Sequence, residues 1–273
     1  MLSFEKRVSV LGIKMGLNLT IGILIPFIGT ILGAACVFFL KNDIGDKLSK
    51  ALSGFAAGVM VSASYFSLIS PALEMSADHG KLSFIPVGLG FLAGMLFLLV
   101  LDLLVPHVHL DKSEEGPRTG LKRTTKLFLA VSLHNLPEGM VVGIVFAGWI
   151  YNESQISLAS AMVLAVGIAL QNFPEGAIVS MPLRAEGMPK RKTFLYGVLS
   201  GVIEPIGALM TAFAASLFLP IMPYLLAFAA GAMFYVVVEE LVPEMAKGSH
   251  NNFGTICFAV GFVVMMALDK AFG

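Results

Sequence analysis

Charged residues are scarce in this sequence: Asp, Glu, Lys and Arg make up only 13% of its 273 residues. A soluble globular domain has about a quarter of such residues, so that class of protein is excluded. Hydrophobic residues account for 57%, and the mean hydropathy is +0.86. This composition predicts a membrane protein with several spans. The 18 basic and 18 acidic residues balance, and a zero net charge argues against nucleic acid as a partner.

Cysteine is nearly absent, and two motifs that would indicate other functions are missing. Cys36 and Cys257 lie within apolar runs, at no spacing typical of a disulfide or a zinc knuckle, so we interpret them as packing residues. The sequence has no G-x-x-x-x-G-K-[ST] motif, which argues against transport energised by ATP. It also lacks H-E-x-x-H, the pattern of many zinc hydrolases.

Eight apolar runs are each long enough to cross about 30 Å of hydrocarbon as a helix. They predict an all-α integral membrane protein with a single domain over residues 1–273. No cleavable signal is apparent, since the first run is itself long enough to span the membrane. The predicted helices 1 to 8 cover residues 16–40, 51–74, 84–106, 126–150, 156–181, 194–219, 222–245 and 253–272.

The connection 107–125 is the one long segment between predicted helices. It is polar and predicts a flexible, solvated loop. Its His107-x-His109 pattern could bind a metal weakly, but a solvated loop is the better explanation of it. The acidic residues of this loop are Asp111, Glu114 and Glu115.

The basic residues predict the orientation in the membrane. Of the 18 Lys and Arg residues, 13 lie in the connections after helices 1, 3, 5 and 7, with Lys126 counted in the second of these. Connections rich in Lys and Arg stay in the cytoplasm. The loop 107–125 is therefore predicted to be cytoplasmic and both termini extracytoplasmic, in the inner (plasma) membrane.

One hexapeptide occurs twice within apolar runs. His134-Asn-Leu-Pro-Glu-Gly139 returns 37 residues later as Gln171-Asn-Phe-Pro-Glu-Gly176. Residues i and i+4 share a helix face, so in each copy the first residue stands over the glutamate. Each proline lacks an N–H and leaves the carbonyl four residues earlier without its helical partner. Imidazole, amide, carboxylate and loose carbonyl oxygens at one depth indicate a divalent-cation site within the membrane.

Chance is the competing explanation for each copy taken alone. A single intramembrane Glu can be a packing residue that pairs with Asn or Ser, and a proline kink is ordinary in such helices. Two copies with the same N-x-P-E-G core argue against it.

An internal repeat predicts the architecture: helices 1–3 match helices 6–8, and helices 4 and 5 match each other. Matched helices start on opposite sides, so the repeat is inverted, a 3+2+3 transporter arrangement with its site near the midplane. In this match Glu204 takes the place of Ile25, which makes Glu204 a third acid able to reach the site. The matched segments are Gly22–Pro26 with Gly201–Pro205, Phe55–Met60 with Phe228–Met233, and Phe91–Asp102 with Phe258–Asp269.

Further acidic residues lie near the helix ends. They are either solvated ends or vestibules that gather cations, and the sequence leaves both interpretations open. The outer set is Glu74 and Asp78, the inner set is Glu239 and Glu240, and Asp102 and Asp269 end helices 3 and 8.

The two hexapeptides resemble the signature of the ZIP (Zrt/Irt-like) metal transporters, and Gln171 at the head of the second copy is similar to the bacterial GufA-like branch. The resemblance covers nearly the whole chain. It implies eight helices, outward termini, a binuclear site, an elevator-like or rocking alternating-access cycle, and a homodimer. Some relatives have Asp where this chain has Asn172.

The resemblance also implies the ligands. The first metal position would use His134, Glu138, Gln171 and Glu175. The second would use Asn135, Glu138, Asn172, Glu175 and Glu204, with Glu138 and Glu175 bridging. Met60 resembles a position that faces the pathway, although a Met in an apolar helix is usually a packing residue.

These observations lead to one hypothesis and two rivals. The chain is expected to carry Zn²⁺, or Cd²⁺, Fe²⁺ or Mn²⁺, into the cytoplasm, with no catalytic cofactor and the bilayer as its surroundings. One rival is an intramembrane metal-dependent hydrolase. Such an enzyme would need a base that activates water, and an inverted repeat would have no role in it. The other is a cation channel along the same polar path, which the sequence does not distinguish from a carrier.

Overall fold

The computed structural model describes residues 4–39, 45–108, 114–151, 155–185, 187–248 and 252–273. Within them, eight helices are long and apolar enough to cross a membrane, as predicted. We name these spans α1 to α8. Their bounds are Met15–Phe39, Asp46–Met75, Phe84–Leu104, Arg123–Ile150, Leu158–Ala185, Lys190–Ala214, Met222–Ala246 and Phe253–Phe272.

Some spans consist of several helical segments. The helix that contains α1 begins at Phe4, before the membrane span, and a turn interrupts it between Ala34 and Cys36. α6 has a break between Gly201 and Ile203, after which its helix continues to Phe218. Short 3₁₀ turns, Ala77–Leu82 and Leu219–Ile221, precede α3 and α7.

α2 and α7 each contain a π-helical segment directly before a proline-containing turn. Ser64–Ile69 precedes Pro71 in α2, and Val237–Leu241 precedes Pro243 in α7. A π turn carries one extra residue, which accommodates the hydrogen bond that the proline cannot donate. Such segments often mark functional sites.

The core lies around α2, α4 and α5. In each of these helices 67% of the most apolar window is buried, against 28% in α3 and 11% in α8. Large apolar side chains are exposed on the outer helices, among them Leu89 and Leu96 of α3 and Val260 of α8. In water such faces would be unstable, whereas hydrocarbon solvates them, in agreement with a multi-pass membrane protein.

Reciprocal contacts support the matches of helices 2 with 7 and 3 with 8. Gly58 of α2 faces the carbonyl of Phe258 in α8, and the matched Gly231 of α7 faces the carbonyl of Phe91 in α3. In both places a methyl group would overlap the carbonyl, so only glycine permits this approach. A second reciprocal set joins Gly94 to Phe228 and Gly261 to Phe55.

The contacts correct the match between helices 1 and 6. Gly139 in the first signature copy faces the carbonyl of Glu204, and the equivalent Gly176 in the second copy faces the carbonyl of Thr30. The structural equivalent of Glu204 is therefore Thr30, and the prediction of Ile25 was wrong by five residues. A shared Gly and Pro were too weak a pattern to fix the register.

The segment that follows α3 was predicted to be a solvated loop, but it begins with a short β-ribbon. His107–Val108 pairs with Glu114–Glu115 in a two-stranded antiparallel ribbon. His107 is completely buried, so the expectation of a solvated side chain was wrong for this residue. His109 and Asp111 lie outside the described residues.

Candidate metal centre

The first signature copy forms an unbroken part of α4 and points inward. His134, Asn135 and Glu138 are all buried on one side of the helix, as the i, i+4 spacing predicts. Pro137 is accommodated without ending the helix. The first copy therefore presents an imidazole, an amide and a carboxylate to the protein interior.

The second copy does the same on α5. Gln171 and Asn172 are buried and Glu175 is partly buried, whereas Phe173 between them is 41% exposed on the outer face. The Nε2 of Gln171 donates a hydrogen bond of 2.7 Å to Oε1 of Glu138. This bond joins the two signature copies directly.

Glu204 brings α6 to the same place. It is buried and lies in the first turn after the break in α6. Its Oε1 accepts hydrogen bonds from the Thr30 hydroxyl at 2.6 Å and from the Asn135 amide at 3.2 Å. Asn135 also donates to the Ser200 carbonyl at 3.1 Å, so its orientation is fixed by α6.

The predicted ligands carry a set of buried polar atoms that have no hydrogen-bond partner among the described residues. Orphaned buried polar atoms are costly and require an explanation. A bound cation would satisfy them, because all but one are acceptor atoms or a ring nitrogen. They are Nε2 of His134, Oε2 of Glu138, Oε1 of Gln171, Oδ1 and Nδ2 of Asn172, Oε1 of Glu175 and Oε2 of Glu204.

The donors are close together but not preassembled around a point. Within the described residues, no three His, Cys, Asp or Glu side chains are arranged to hold a metal ion. Two contacts explain this: Gln171 is bonded to Glu138, and Nδ1 of His134 lies against Oε2 of Glu240. A cation at the first position would have to exchange these contacts for its own.

Among the residues that the structure describes, Glu240 of α7 is thus the outlying acid that directly contacts a predicted ligand. A small cavity of about 20 Å³, room for roughly one water molecule, lies between His134, Glu175 and Glu240. The neighbouring Glu239 is exposed and turned away from this cavity's lining. Polar side chains therefore extend from the cluster of predicted ligands to Glu240 on α7.

Asp102 belongs to a buried cluster rather than to a solvated helix end. Its Oδ1 lies 2.9 Å from Nε2 of His107, and its Oδ2 accepts a bond of 2.7 Å from the Tyr235 hydroxyl. The other ring nitrogen of His107 is 2.8 Å from the Val105 carbonyl. With oxygen at both ring nitrogens, His107 is placed to offset the buried charge of Asp102.

The remaining predicted residues do not join the centre. Glu74 and Asp78 are exposed, and Glu74 accepts a long hydrogen bond from Ser70. Asp269 accepts a 2.9 Å bond from Ser67. Met60 is completely buried in the apolar core.

Sequence reasoning missed two residues of this region, Thr30 and Tyr235, and it placed His107 in a solvated loop rather than beside Asp102. Thr30 had a detectable signal, because a polar residue in the middle of an apolar helix normally has a partner. Tyr235 had none, since a tyrosine is ordinary at the end of a span.

Comparison with known proteins agrees with this geometry. The family model described as "ZIP Zinc transporter" matches residues 119–269, more than half of the chain and including both signature copies. The human protein "Zinc transporter ZIP11" is 36% identical, covering 89% of this chain and 94% of that protein. "Zinc transporter GufA" of Myxococcus xanthus is 35% identical, covering 89% and 94%.

A third relative, "Zinc transporter ZIPB" of Bordetella bronchiseptica, is 38% identical and covers 90% of this chain and 79% of that protein. The family model matches more than half of the chain, and these relatives are similar over most of their lengths. The chain is a member of the ZIP zinc transporter family.

Proposed function

We propose that this protein transports Zn²⁺, or a closely related divalent cation, through the membrane by way of the buried cluster on α4, α5 and α6. The observation that carries the proposal is the set of orphaned donor atoms on the two signature copies and Glu204. Relatives named as zinc transporters over nearly the full chain support the choice of cargo.

The first metal position is assigned to His134, Glu138, Gln171 and Glu175. Two carboxylates balance the charge of a divalent ion, and neutral imidazole and amide groups complete a mixed nitrogen and oxygen set that suits zinc. Cd²⁺, Fe²⁺ and Mn²⁺ accept similar ligands. Without thiolates the site should bind loosely enough to release its cargo.

The second position is assigned to Asn135, Asn172 and Glu204 together with the shared Glu138 and Glu175. Its amide groups are neutral, so it is less anionic than its neighbour. We expect it to fill after the first position, because two divalent ions a few Å apart repel strongly.

Alternating access is supported by how the helices pair. The ligands all lie on α4, α5 and α6, and α1 packs on α5 through Gly176. The remaining helices form pairs of their own, α2 with α8 and α3 with α7. Movement of the first group relative to the second would expose the centre to one side and then the other.

We assign the direction as uptake into the cytoplasm, with a homodimer in the inner (plasma) membrane and both termini extracytoplasmic. The distribution of Lys and Arg supports this orientation, and it places the His107 ribbon on the cytoplasmic side. The exposed apolar faces of α3 and α8 offer surface for a second copy or for lipid.

Uptake of Zn²⁺ into proteoliposomes tests the proposal. Native protein should give saturable uptake that Cd²⁺ inhibits competitively, as expected of a carrier rather than a channel. Glu138→Gln should abolish uptake, because it removes a bridging charge. Glu239→Gln, the same change on an exposed residue of α7, is the matched control and should leave uptake unchanged. Uptake by the Glu138 variant at the native rate would contradict the assignment.

A further inference from the structure

Thr30 is a buried residue that the assigned metal ligands do not include. It lies in the middle of α1 and is only 2% exposed. Its main chain is packed against Gly176 of the second signature copy, and its side chain packs against Gly201 at the break in α6. Contacts on both sides hold the Thr30 hydroxyl in one place.

The Thr30 hydroxyl forms a hydrogen bond with one of the two carboxylate oxygens of Glu204. It donates to Oε1 of Glu204 at 2.6 Å, and Asn135 donates to the same oxygen at 3.2 Å. The other oxygen of Glu204, Oε2, is buried and has no hydrogen-bond partner among the described residues. The carboxylate is therefore held by one oxygen, and the other is available to a ligand.

The internal repeat relates the two residues of this contact to each other. Thr30 and Glu204 face equivalent glycines, Gly176 and Gly139, so they occupy the same place in the two halves of the protein. One half supplies a carboxylate and the other a hydroxyl, and a hydrogen bond joins the two groups. The second metal position thus receives a single anionic group, with its symmetry-related residue as the donor that orients it.

We infer that Thr30 is a positioning residue for the second metal position: its hydroxyl fixes Glu204 so that Oε2 faces the incoming divalent cation. The inference rests on the proposed function, since it requires Glu204 to meet the cargo. It names a residue on α1, which lies outside the signature helices.

The expected effect follows from the strength of such a bond. A hydroxyl that donates to a carboxylate at this distance forms a short, charge-assisted hydrogen bond. Losing one typically changes an equilibrium constant about tenfold or more. Valine has the shape of threonine without the hydroxyl, so Thr30→Val removes the donor and keeps the packing against Gly201.

The experiment is a Zn²⁺ titration of the purified full chain in lipid nanodiscs, which resolves the tighter and the weaker binding events. Thr30→Val should weaken the second event about tenfold and change the first less than twofold. Thr30→Ser keeps the hydroxyl and should bind like the native protein. Thr211→Val is the matched control, because the Thr211 hydroxyl donates to main-chain carbonyls of Met140 and Gly207 and should have no effect on either event.

Three outcomes would overturn the inference: an unchanged second event in Thr30→Val, equal weakening of both events, or failure of Thr30→Ser to restore binding. A native protein that binds one ion at every Zn²⁺ concentration would also overturn it, since Glu204 would then have no ion to face. Failure of the proposed function is distinguishable, because the native protein would bind no Zn²⁺ at all.

Discussion

Asn172→Asp is the substitution that bears most directly on the second metal position. The Asn172 side chain lies near the carboxylates of Glu138 and Glu204. Neither of its amide atoms reaches a partner with hydrogen-bond geometry among the described residues. Replacing the amide by a carboxylate therefore breaks no hydrogen bond of good geometry, although the amide no longer stands beside Glu138 and Glu204 as a neutral neighbour. It adds one negative charge where the assigned ligands are least anionic.

The size of the effect follows from Coulomb's law. At roughly 4 Å and an effective dielectric constant of about 20, a unit charge attracts a divalent ion by about 8 kcal/mol before any offset. Without metal, the new carboxylate would face two others and hold a proton. Releasing that proton when metal binds cancels most of the attraction. We expect a net gain of about 1.4–2.8 kcal/mol, which tightens the second position about 10- to 100-fold.

Asn135→Asp is the matched change at the equivalent residue of the first signature copy, and the opposite result is expected. The Asn135 amide donates to the Ser200 carbonyl and to Glu204. A carboxylate there would face two acceptors, which should destabilise the fold by about 2–4 kcal/mol and tighten neither position.

Metal stoichiometry of the purified protein in nanodiscs measures both effects. The native chain should bind one Zn²⁺ tightly and a second weakly, and Asn172→Asp should bring the second toward the first. Uptake by the variant is also measured, because a tighter second position should slow release. Two equally tight ions in the native protein would refute the reasoning, as would an unaltered second event in Asn172→Asp.

Three further predictions concern the first position, the packing and the topology. His134→Ala should abolish or strongly weaken uptake while the protein remains inserted; unchanged uptake kinetics would remove His134 from the site. Gly58→Leu should lower thermal stability by about 2 kcal/mol or more, because its side chain would overlap a carbonyl of α8. Gly88→Leu, which meets open space, should not. Cysteines at Thr119 and Tyr151, both exposed, should be labelled from the cytoplasm and from outside respectively; labelling of both from one side would overturn the orientation.

The eight spans were predictable because hydrocarbon imposes a simple length and composition rule on each helix. The inward face of the signature copies followed from i, i+4 spacing: the structure buries His134 with Glu138, and it places the buried Gln171 with the partly buried Glu175. These features depend on local sequence alone. Local rules hold well in membranes, where every backbone group must be satisfied within its own helix.

Contacts between distant segments were not predictable in the same way. The link from Thr30 to Glu204 spans 174 residues, and the packing of glycines against main-chain carbonyls fixes its register. The contact of His134 with Glu240 likewise depends on how α7 packs against α4. The sequence showed that these polar residues lie at a similar depth in the membrane. Which of them contact each other depends on how each helix is rotated about its axis and on the angles at which the helices cross.

The two ends of the protein show how the halves have diverged within one repeat. Asp102 and Asp269 occupy equivalent places in α3 and α8. Asp102 is buried, lies against the imidazole of His107 and accepts a hydrogen bond from the Tyr235 hydroxyl. Asp269 is held by the Ser67 hydroxyl, with Lys270 at 3.7 Å largely exposed and screened by solvent. The end at Asp269 therefore presents a carboxylate held by a hydroxyl, whereas the end at Asp102 adds an imidazole beside the carboxylate. Such differences can change the affinity for a cation at either end, whereas the gradient across the membrane sets the direction of net movement.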